Sequence, residues 1–332
     1  MKRIDVVIVG GSLAGSACAI GLRRMGIDVA VFDRDTFPRP KVCGAFLSPG
    51  AVDCLGALGI LGRVREGGAR VIDQLRLTSS GGSVGVPLRR WGLGFSRQRL
   101  DALAAREAGV LERHSVERVR SSDDGCGFLV EVGTPGGSPE AVAARVVVDA
   151  AGRSSRFTPG SAGGAFGVQF SEERDLGSVL EFGFFDWGYG GTVAVEGERA
   201  NSCFLVRQAA IRRFLGRGDC RVTGPIAFDR RPGTYLAIGD AAGMVDPFSG
   251  EGMHHAFDSG EMAACAIAEG LGRGWRYATI RARYESDHEA RWGAKRRVGR
   301  LLRWLVARPA LRRSMRFPGA TGMLLDAWWG VR

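Results

Sequence analysis

The 332-residue sequence has few of the residues that build metal and disulfide sites. It holds seven cysteines and four histidines. The cysteines are scattered and odd in number, which argues against a disulfide framework. They include no CxxC pair, which structural zinc sites usually show. The histidines lack HExxH or a similar ligand spacing. The sequence therefore predicts neither a metal centre nor a disulfide framework.

Long apolar runs are also missing. The 17 uncharged residues from Val6 to Leu22 are interrupted by several glycines and serines, which weaken an apolar helix, and Asp5 stands where a signal peptide's apolar region would begin. No other stretch is long enough to span a bilayer. We expect a soluble, cytoplasmic protein, and at about 150 residues per domain its length predicts two lobes.

Acidic residues are too few to balance the basic ones. The net charge is +11, and ten basic residues face a single acidic one between positions 288 and 317. This excess indicates an anionic partner. One interpretation is a helix lying on an anionic membrane, on the inner face. The other is a helical cap packed on the protein with a solvated basic face. Nucleic acid is disfavoured because no recognition module accompanies the charge.

The first motif is a strand, a tight turn, a helix, a second strand and an acid. The strand is Ile4–Val9, the turn reads Gly10-Gly11-Ser12-Leu13-Ala14-Gly15, and the second strand ends at Asp33. Backbone N–H groups at such a helix start hold a diphosphate, and the acid accepts from a ribose hydroxyl. Ser12 departs from the GxGxxG pattern. A glycine-rich turn in another α/β fold is the alternative.

Two later segments repeat a buried strand that ends in aspartate. The first is Val146–Gly152 and the second is Tyr235–Gly243, which continues through a glycine-rich turn into a long helix to about Glu269. Several strand ends of this kind suit one extended ligand. FAD fits better than a simple dinucleotide, because its ribityl chain and ring also need support.

These motifs carry a family resemblance. GGSLAG, DAAG and GDAAGMVDPFSGEG, in this order, resemble the FAD-dependent oxidoreductases of the para-hydroxybenzoate-hydroxylase superfamily. The last motif is most similar to the geranylgeranyl-reductase branch. RPKVCG at 39–44, SRQRLD at 96–101 and GYGG at 188–191 also resemble segments of that branch. The resemblance covers about residues 4–270.

The resemblance implies an α/β fold. We expect an FAD-binding Rossmann-like domain of the glutathione-reductase type, formed by 1–70, 95–160 and 225–270. An antiparallel β substrate sheet, 71–94 and 161–224, is inserted into it. A basic helical C-terminal region covers 271–332.

The resemblance also implies site residues. Those expected to bind the cofactor are Gly10, Ser12, Gly15, Asp33, Arg34, Arg97, Gly239, Asp240, Pro247, Gly250, Glu251, Gly252 and Met253. Cys43 either positions substrate or relays a proton, or is a small buried apolar residue. Tyr189, with Trp187, either lines a substrate cavity and takes part in catalysis, or belongs to ordinary packing. Glu251 raises a question, since a carboxylate beside reduced flavin is unfavourable unless it points away.

Three functions follow from the resemblance. The first is reduction of C=C bonds in an apolar, isoprenoid-like substrate by hydride from flavin N5, with NADPH, NADH or ferredoxin as the undetermined electron donor. The second is an FAD monooxygenase that acts through a C4a-flavin oxygen adduct on an aromatic or polyketide-like substrate. The third is FAD binding without turnover, because the segment 207–235 is short and leaves the depth of the cavity open. Gly191, where the branch has tryptophan, weakens the first. A halogenase is disfavoured because WxWxIP is absent.

Overall fold

A computed structural model of the protein describes residues 2–306 apart from positions 80–81, 123–124, 126, 159, 161–162, 217 and 229–232. The strands are β1 Lys2–Val9, β2 Val29–Phe32, β3 Phe46–Leu47, β4 Arg70–Ser79, β5 Gly82–Gly94, β6 Ser115–Ser121, β7 Phe128–Gly133, β8 Glu140–Asp149, β9 Ala165–Glu173, β10 Val179–Phe185, β11 Gly188–Val195, β12 Arg199–Arg207, β13 Arg221–Ile226 and β14 Leu236–Ala237. The α-helices are α1 Leu13–Arg24, α2 Pro49–Ala57, α3 Leu61–Glu66, α4 Arg97–Glu107, α5 Gly252–Gly272 and α6 Tyr277–Val306. Short 3₁₀ turns cover Gly152–Ser154, Gln208–Arg213, Gly239–Ala242 and Pro247–Ser249. Of the basic segment 288–317, the part beyond 306 lies outside the described residues.

The first sheet brings the predicted motifs to one edge. β1 is buried on both faces from Val6 to Val9, as a strand covered by helices on both sides requires. It pairs in parallel with β2 and β8, and β8 pairs in parallel with β14. β7 and β6 extend the sheet in antiparallel fashion. The carboxyl ends of the parallel strands therefore meet at the edge where ligands bind in such sheets.

The second sheet has the order β13-β9-β12-β11-β10-β4-β5-β3. Its pairings are antiparallel except that β10 and β4 run parallel. The residues 179–185 predict a strand, which is β10. The alternating pattern of 71–88, with a glycine pair at its turn, predicts a hairpin, which is β4 with β5. The sequence also predicts a helix at about 208–216, where the structure has instead the six-residue 3₁₀ turn Gln208–Arg213. Ala210 and Phe214 of this segment pack against Val168 of β9 and Val206 of β12, so tertiary packing overrides the helix preference of the local sequence.

Small residues let α1 and α5 pack closely. A Cβ on Gly260 of α5 would overlap the Ala14 carbonyl oxygen of α1, and a Cβ on Gly21 would lie 2.9 Å from Ala264. The helix that follows the first turn therefore lies directly on the helix that follows the later turn. This contact fixes the two predicted ligand-binding turns relative to each other.

The last helix, α6, packs along α5. Tyr284 and Trp292 are fully buried in that contact, while Arg281 and Arg283 form i,i+4 ion pairs with Glu285 and Asp287 on the outer side. Among residues 2–306, leaving aside the gaps given above, no helix is long and apolar enough to cross a membrane.

Candidate active site

A cavity of about 810 Å³ is lined by residues of both sheets. Its lining includes eleven of the predicted site residues: Ser12, Arg34, Cys43, Arg97, Tyr189, Gly239, Asp240, Pro247, Gly250, Gly252 and Met253. Gly10, Gly15, Asp33 and Glu251 lie outside this lining. The structure thus brings together residues that are up to 241 positions apart in the sequence, from 12 to 253.

The first glycine turn has the geometry that its motif predicts. Gly10 has φ +106°, which favours glycine. A Cβ on Gly10 would overlap the Ala150 carbonyl oxygen, and one on Gly15 would overlap the Gly10 carbonyl oxygen. The Gly11 N–H donates to Asp33 Oδ2 at 2.8 Å. The acid at the end of β2 is therefore tied to the turn, and Ser12 is the polar side chain of the turn that lines the cavity.

Two cations contact that serine, and a third lies beside Asp33. The guanidinium of Arg97 donates to Ser12 Oγ at 3.1 Å, and Lys41 Nζ lies 3.4 Å from the same oxygen. Arg39 pairs with Asp33 at 3.3 Å. The Arg39 Nε is buried with no partner among the described residues. This arrangement would suit a diphosphate, which charge-assisted hydrogen bonds hold well.

The pKa values of these cations reflect their crowding. Burial, and then the neighbouring Arg97, lowers the pKa of Lys41 below its ordinary value. Burial would lower the pKa of Arg97 as well, but Asp101 and then Cys43 raise it above its ordinary value. A bound anion would relieve the repulsion between Lys41 and Arg97. The sequence singled out Arg97, whereas Arg39 and Lys41 stood in the RPKVCG motif without an assigned role.

The two aspartates at later strand ends have different surroundings. Asp149 is fully buried. It accepts from the Ala151 N–H at 3.1 Å, Ser155 Oγ at 2.6 Å and Thr158 Oγ1 at 2.7 Å. Asp240 lies in the turn Gly239–Ala242 and lines the cavity. Only Asp240 of this pair therefore presents its carboxylate to a ligand.

Cys43 lies in a polar part of the cavity. Its carbonyl oxygen accepts from Asn201 Nδ2 at 3.0 Å, and its thiol contacts the guanidinium of Arg97. Cys203, two residues after Asn201 on β12, also lines the cavity. Burial raises the pKa of the Cys203 thiol. Cys43 is therefore the thiol with a cation beside it.

The two aromatic candidates separate in the structure. The ring of Tyr189 lines the cavity, and its hydroxyl donates to Asp246 Oδ1 at 2.5 Å. Trp187 stacks on Phe185, with ring centroids 4.5 Å apart, and lies outside the lining. The packing alternative thus describes Trp187, while Tyr189 stands in the cavity wall.

Glu251 turns away from the cavity. Its carboxylate, buried at 2% exposure, accepts from Lys295 Nζ at 2.7 Å and contacts His254 Nδ1 at 3.4 Å. Burial would raise its pKa, but His254 and Lys295 hold that pKa below its ordinary value. The carboxylate thus points away from the cavity, as is required of a carboxylate that lies near reduced flavin.

Histidines gather between α5 and α6. His255 Nε2 and His288 Nε2 lie 2.9 Å apart, and both rings are buried. Ligand-type atoms of Cys54, His254 and Asp258 lie within 4.8 Å of one another. Asp258 already accepts from Trp292 Nε1 at 2.6 Å. None of these residues lines the cavity, and the predicted absence of a metal stays a prediction.

Comparison with known proteins agrees with these observations. Residues 3–156, from β1 past the end of β8, match the FAD binding domain family. This range contains the glycine turn, Asp33 and Arg97. The glycine turn that a Cβ would fill, the three cations and the unpartnered Arg39 Nε all fit the diphosphate of FAD.

Two relatives span most of the chain. Menaquinone reductase of Mycobacterium tuberculosis is 28% identical over 313 residues, which cover 78% of this chain and 75% of the relative. Digeranylgeranylglycerophospholipid reductase 2 of Methanothermobacter thermautotrophicus is 25% identical over 351 residues, which cover 90% of this chain and 85% of the relative.

Solved structures share the fold at lower identity. PqsL, a probable FAD-dependent monooxygenase from Pseudomonas aeruginosa, has a TM-score of 0.77 at 18% identity, and the match covers 96% of this chain and 99% of that chain. The flavin-dependent brominase Bmp2 has a TM-score of 0.78 at 19% identity, with 98% and 94% covered. Both likenesses extend over the two sheets and the helical C-terminus.

Proposed function

Because the chain belongs to the para-hydroxybenzoate-hydroxylase superfamily of FAD-dependent oxidoreductases, we propose that it reduces a C=C bond of an apolar, isoprenoid-like substrate. The observation that carries this proposal is the second-sheet wall of the cavity. Most of its side chains are apolar or aromatic, among them Leu75, Leu180, Phe182, Phe204 and Leu205, and the polar Arg221 and Thr223 belong to the outermost strand, β13. A branched hydrocarbon gains about 25 cal/mol for each Å² that it buries against such a wall.

The chain's own residues divide into a polar end and an apolar end. Ser12, Lys41 and Arg97 would hold the diphosphate of FAD, and Asp240 would hold its ribityl chain. FAD, when bound, supplies the hydride. Saturation of a C=C bond also needs a proton, and Tyr189 stands in the apolar wall. Burial, and then Asp246, raises the pKa of Tyr189 well above its ordinary value, so the phenol keeps its proton at neutral pH. The hydroxyl directs this proton to Asp246 Oδ1, and donation to a substrate would need the hydroxyl to rotate toward the cavity.

The names of the two relatives that span most of the chain support a reductase. One is named for menaquinone and the other for digeranylgeranylglycerophospholipid. Both names describe reduction, and both matches extend well beyond the FAD-binding residues 3–156. We therefore propose a substrate of the same apolar class for this chain.

The test uses the full chain loaded with FAD and reduced by dithionite without air. A polyprenyl menaquinone and a geranylgeranyl lipid are added separately, and the products are analysed by mass spectrometry. The proposal expects a product that gains two hydrogens for each bond reduced. Cys43→Ala and Tyr189→Phe should slow this reaction, whereas Cys265→Ser, at an exposed cysteine outside the cavity, should not. Unchanged substrate with both compounds contradicts the proposal.

A monooxygenase is the second candidate. The observation in its favour is a 68-residue match, 38% identical, to the FAD-dependent urate hydroxylase of Mycolicibacterium vanbaalenii, which covers 20% of this chain and 17% of that protein. Labelled dioxygen separates the two functions, because a hydroxylase inserts one labelled oxygen into an aromatic product and a reductase inserts none. NADPH, NADH and reduced ferredoxin, each in place of dithionite, identify the electron donor.

A further inference from the structure

A buried carboxylate joins the cavity wall to the last helix. Asp246 is 4% exposed and follows the GDAAG motif. Its Oδ1 accepts from the Tyr189 hydroxyl at 2.5 Å and from the Phe248 N–H at 3.0 Å. Its Oδ2 accepts from the Arg303 guanidinium at 3.1 Å. The two carboxylate oxygens therefore receive hydrogen bonds from β11, from the turn Pro247–Ser249 and from α6.

Arg303 reaches this carboxylate from the last turn of α6. Its guanidinium lies 3.7 Å from the centre of the Phe228 ring, and 26% of its side chain is exposed. One helical turn earlier, Gly299 lies so close to Asp246 that a Cβ there would be 2.9 Å from the Asp246 Cβ. The helix therefore packs directly on the turn that carries Asp246, and Arg303, which contacts this carboxylate, is itself partly exposed.

The charges on this chain of contacts are coupled. The groups that bear most on Asp246 are Tyr189 from β11, Arg303 from α6 and the Phe248 N–H of its own turn. Burial raises the pKa of Asp246, and these three contacts oppose that rise. Arg303 always keeps its proton, so it can stabilise a carboxylate but cannot carry a proton itself. Proton exchange is thus left to Tyr189 and Asp246.

Resting on the proposed function, we propose that Asp246 and Arg303 are positioning residues for Tyr189, and that these side chains form a relay that returns a proton to the cavity wall. When the Tyr189 O–H bond breaks and a C–H bond forms on the substrate, a phenolate remains beside the Asp246 carboxylate. Two anions at this distance repel strongly in a buried site. Asp246 then takes one proton from solvent beside Arg303 and passes it to the phenolate oxygen, which restores the phenol.

The positioning is tested without a substrate. The chain has only four tyrosines, so the full-length FAD-loaded protein, grown with 3-fluorotyrosine, gives four ¹⁹F signals, and Tyr189→Phe assigns one of them. We expect Asp246→Asn to lower the phenol pKa of Tyr189, because a negative neighbour is lost. Arg303→Met should raise it, and Arg303→Lys should restore it. Arg297→Met, at a side chain that is 66% exposed, is the matched control.

Two outcomes decide the proposal. A Tyr189 titration that is unchanged in Asp246→Asn and in Arg303→Met overturns it, and if Asp246→Asn does not fold, the two Arg303 variants still decide. With a working substrate, Tyr189→Phe and Asp246→Asn should lower kcat on the order of 10²-fold with little change in KM, while Arg303→Lys retains most of kcat. If Tyr189→Phe and Asp246→Asn have the kcat of the wild type, the relay is overturned. If neither probe is reduced, the proposed function fails, and the ¹⁹F titrations still decide the positioning.

Discussion

Two glycines of the first turn, Gly10 and Gly15, have no room for a side chain. Gly10 has a positive φ, and a Cβ there would overlap the Ala150 carbonyl oxygen. We expect Gly10→Ala to lower the free energy of unfolding by at least about 1–3 kcal/mol and to lower the FAD content of the purified protein. Gly62→Ala is the control, because a Cβ at Gly62 meets no atom within 4 Å. Flavin absorbance per protein and denaturant unfolding measure both effects.

The two strand-end aspartates should respond differently to truncation. Asp240 faces the cavity, so Asp240→Ala should yield a folded protein with little bound flavin. Asp149 accepts three hydrogen bonds inside the protein, so Asp149→Ala should also lower the melting temperature, because buried donors lose their acceptor. Purified Asp240→Ala with its full yellow colour would show that its carboxylate does not hold the cofactor.

The residues that the sequence could not assign have partners far along the chain. Gly10, Asp33 and Asp240 belong to local motifs, whose spacing is visible in the sequence. Asp246, by contrast, meets Tyr189 and Arg303 at 57 positions on either side. Burial and pairing at such separations depend on tertiary packing. The direction in which Glu251 turns depends on Lys295 in the same way.

At the scale of elements, α6 contributes a buried ion pair to the turn before α5. Lys295→Met should leave the Glu251 carboxylate buried without its cation, which should lower the free energy of unfolding by about 3–5 kcal/mol. Arg297→Met should cost less than about 1 kcal/mol, because Arg297 and Glu289 form an exposed pair. Urea unfolding of the two variants measures the difference. If both variants lose the same unfolding free energy, Lys295 contributes no more to stability than the exposed Arg297.

The histidine pair between α5 and α6 should make the protein sensitive to acid. Burial, and then Arg296, lowers the pKa of His288 to about 4, and burial lowers that of His255 well below its ordinary value. The folded protein thus binds fewer protons than the unfolded chain between about pH 6.5 and 4. Its stability is full above this range and falls as the pH falls through it, by on the order of 3 kcal/mol.

Unfolding by urea at several pH values checks this prediction. His288→Gln should flatten the dependence of the unfolding free energy on pH between about 6.5 and 4. His114→Gln, outside the contact of α5 with α6, is the matched control. A wild-type protein whose stability is constant through this range would contradict the prediction.

Most elements could be predicted because their signals are local. β10 has the bounds that its apolar run predicts, and the hairpin of β4 with β5 follows its glycine pair. The prediction of an α-helix near 208–216 was wrong, because packing against β9 and β12 determines the conformation of these residues. The orientation of α6 was also beyond the sequence pattern. Apolar residues at 298, 301, 302 and 305 share one helical face, which predicts that Arg296 and Arg303 lie around the rest of the helix. In the structure both turn inward, to the Ala242 carbonyl oxygen and to Asp246.

At the scale of the whole molecule, the excess positive charge still calls for a partner. We propose that the basic C-terminal region contacts an anionic membrane. Removing 288–332 would also remove Lys295 and Arg303, so a sharper variant changes Arg308, Arg312, Arg313 and Arg316 to Gln in the full chain. Each basic residue near the surface contributes about 1 kcal/mol. Binding to anionic vesicles should therefore weaken by on the order of 10²–10³-fold.

The control for membrane binding changes Arg118 and Arg120 to Gln. Both lie on β6, an edge strand of the first sheet. These variants should bind anionic vesicles as the wild type does, and salt should weaken binding in both. If the wild-type protein does not bind anionic vesicles at low salt, the membrane proposal is wrong. The helical-cap alternative would then account for the basic region.

The packing of α6 on the turn after β14 has a consequence for biosynthesis. Chains fold from their N-terminus as they leave the ribosome. The FAD binding domain match ends at residue 156, but Asp240 and the turn held by Lys295, Arg296 and Arg303 are made later. A nascent chain halted before α6 has both glycine-rich turns, but it lacks the three cations of α6 that hold the second turn. Cofactor loading therefore becomes the closing event of synthesis, and truncated chains should be released colourless.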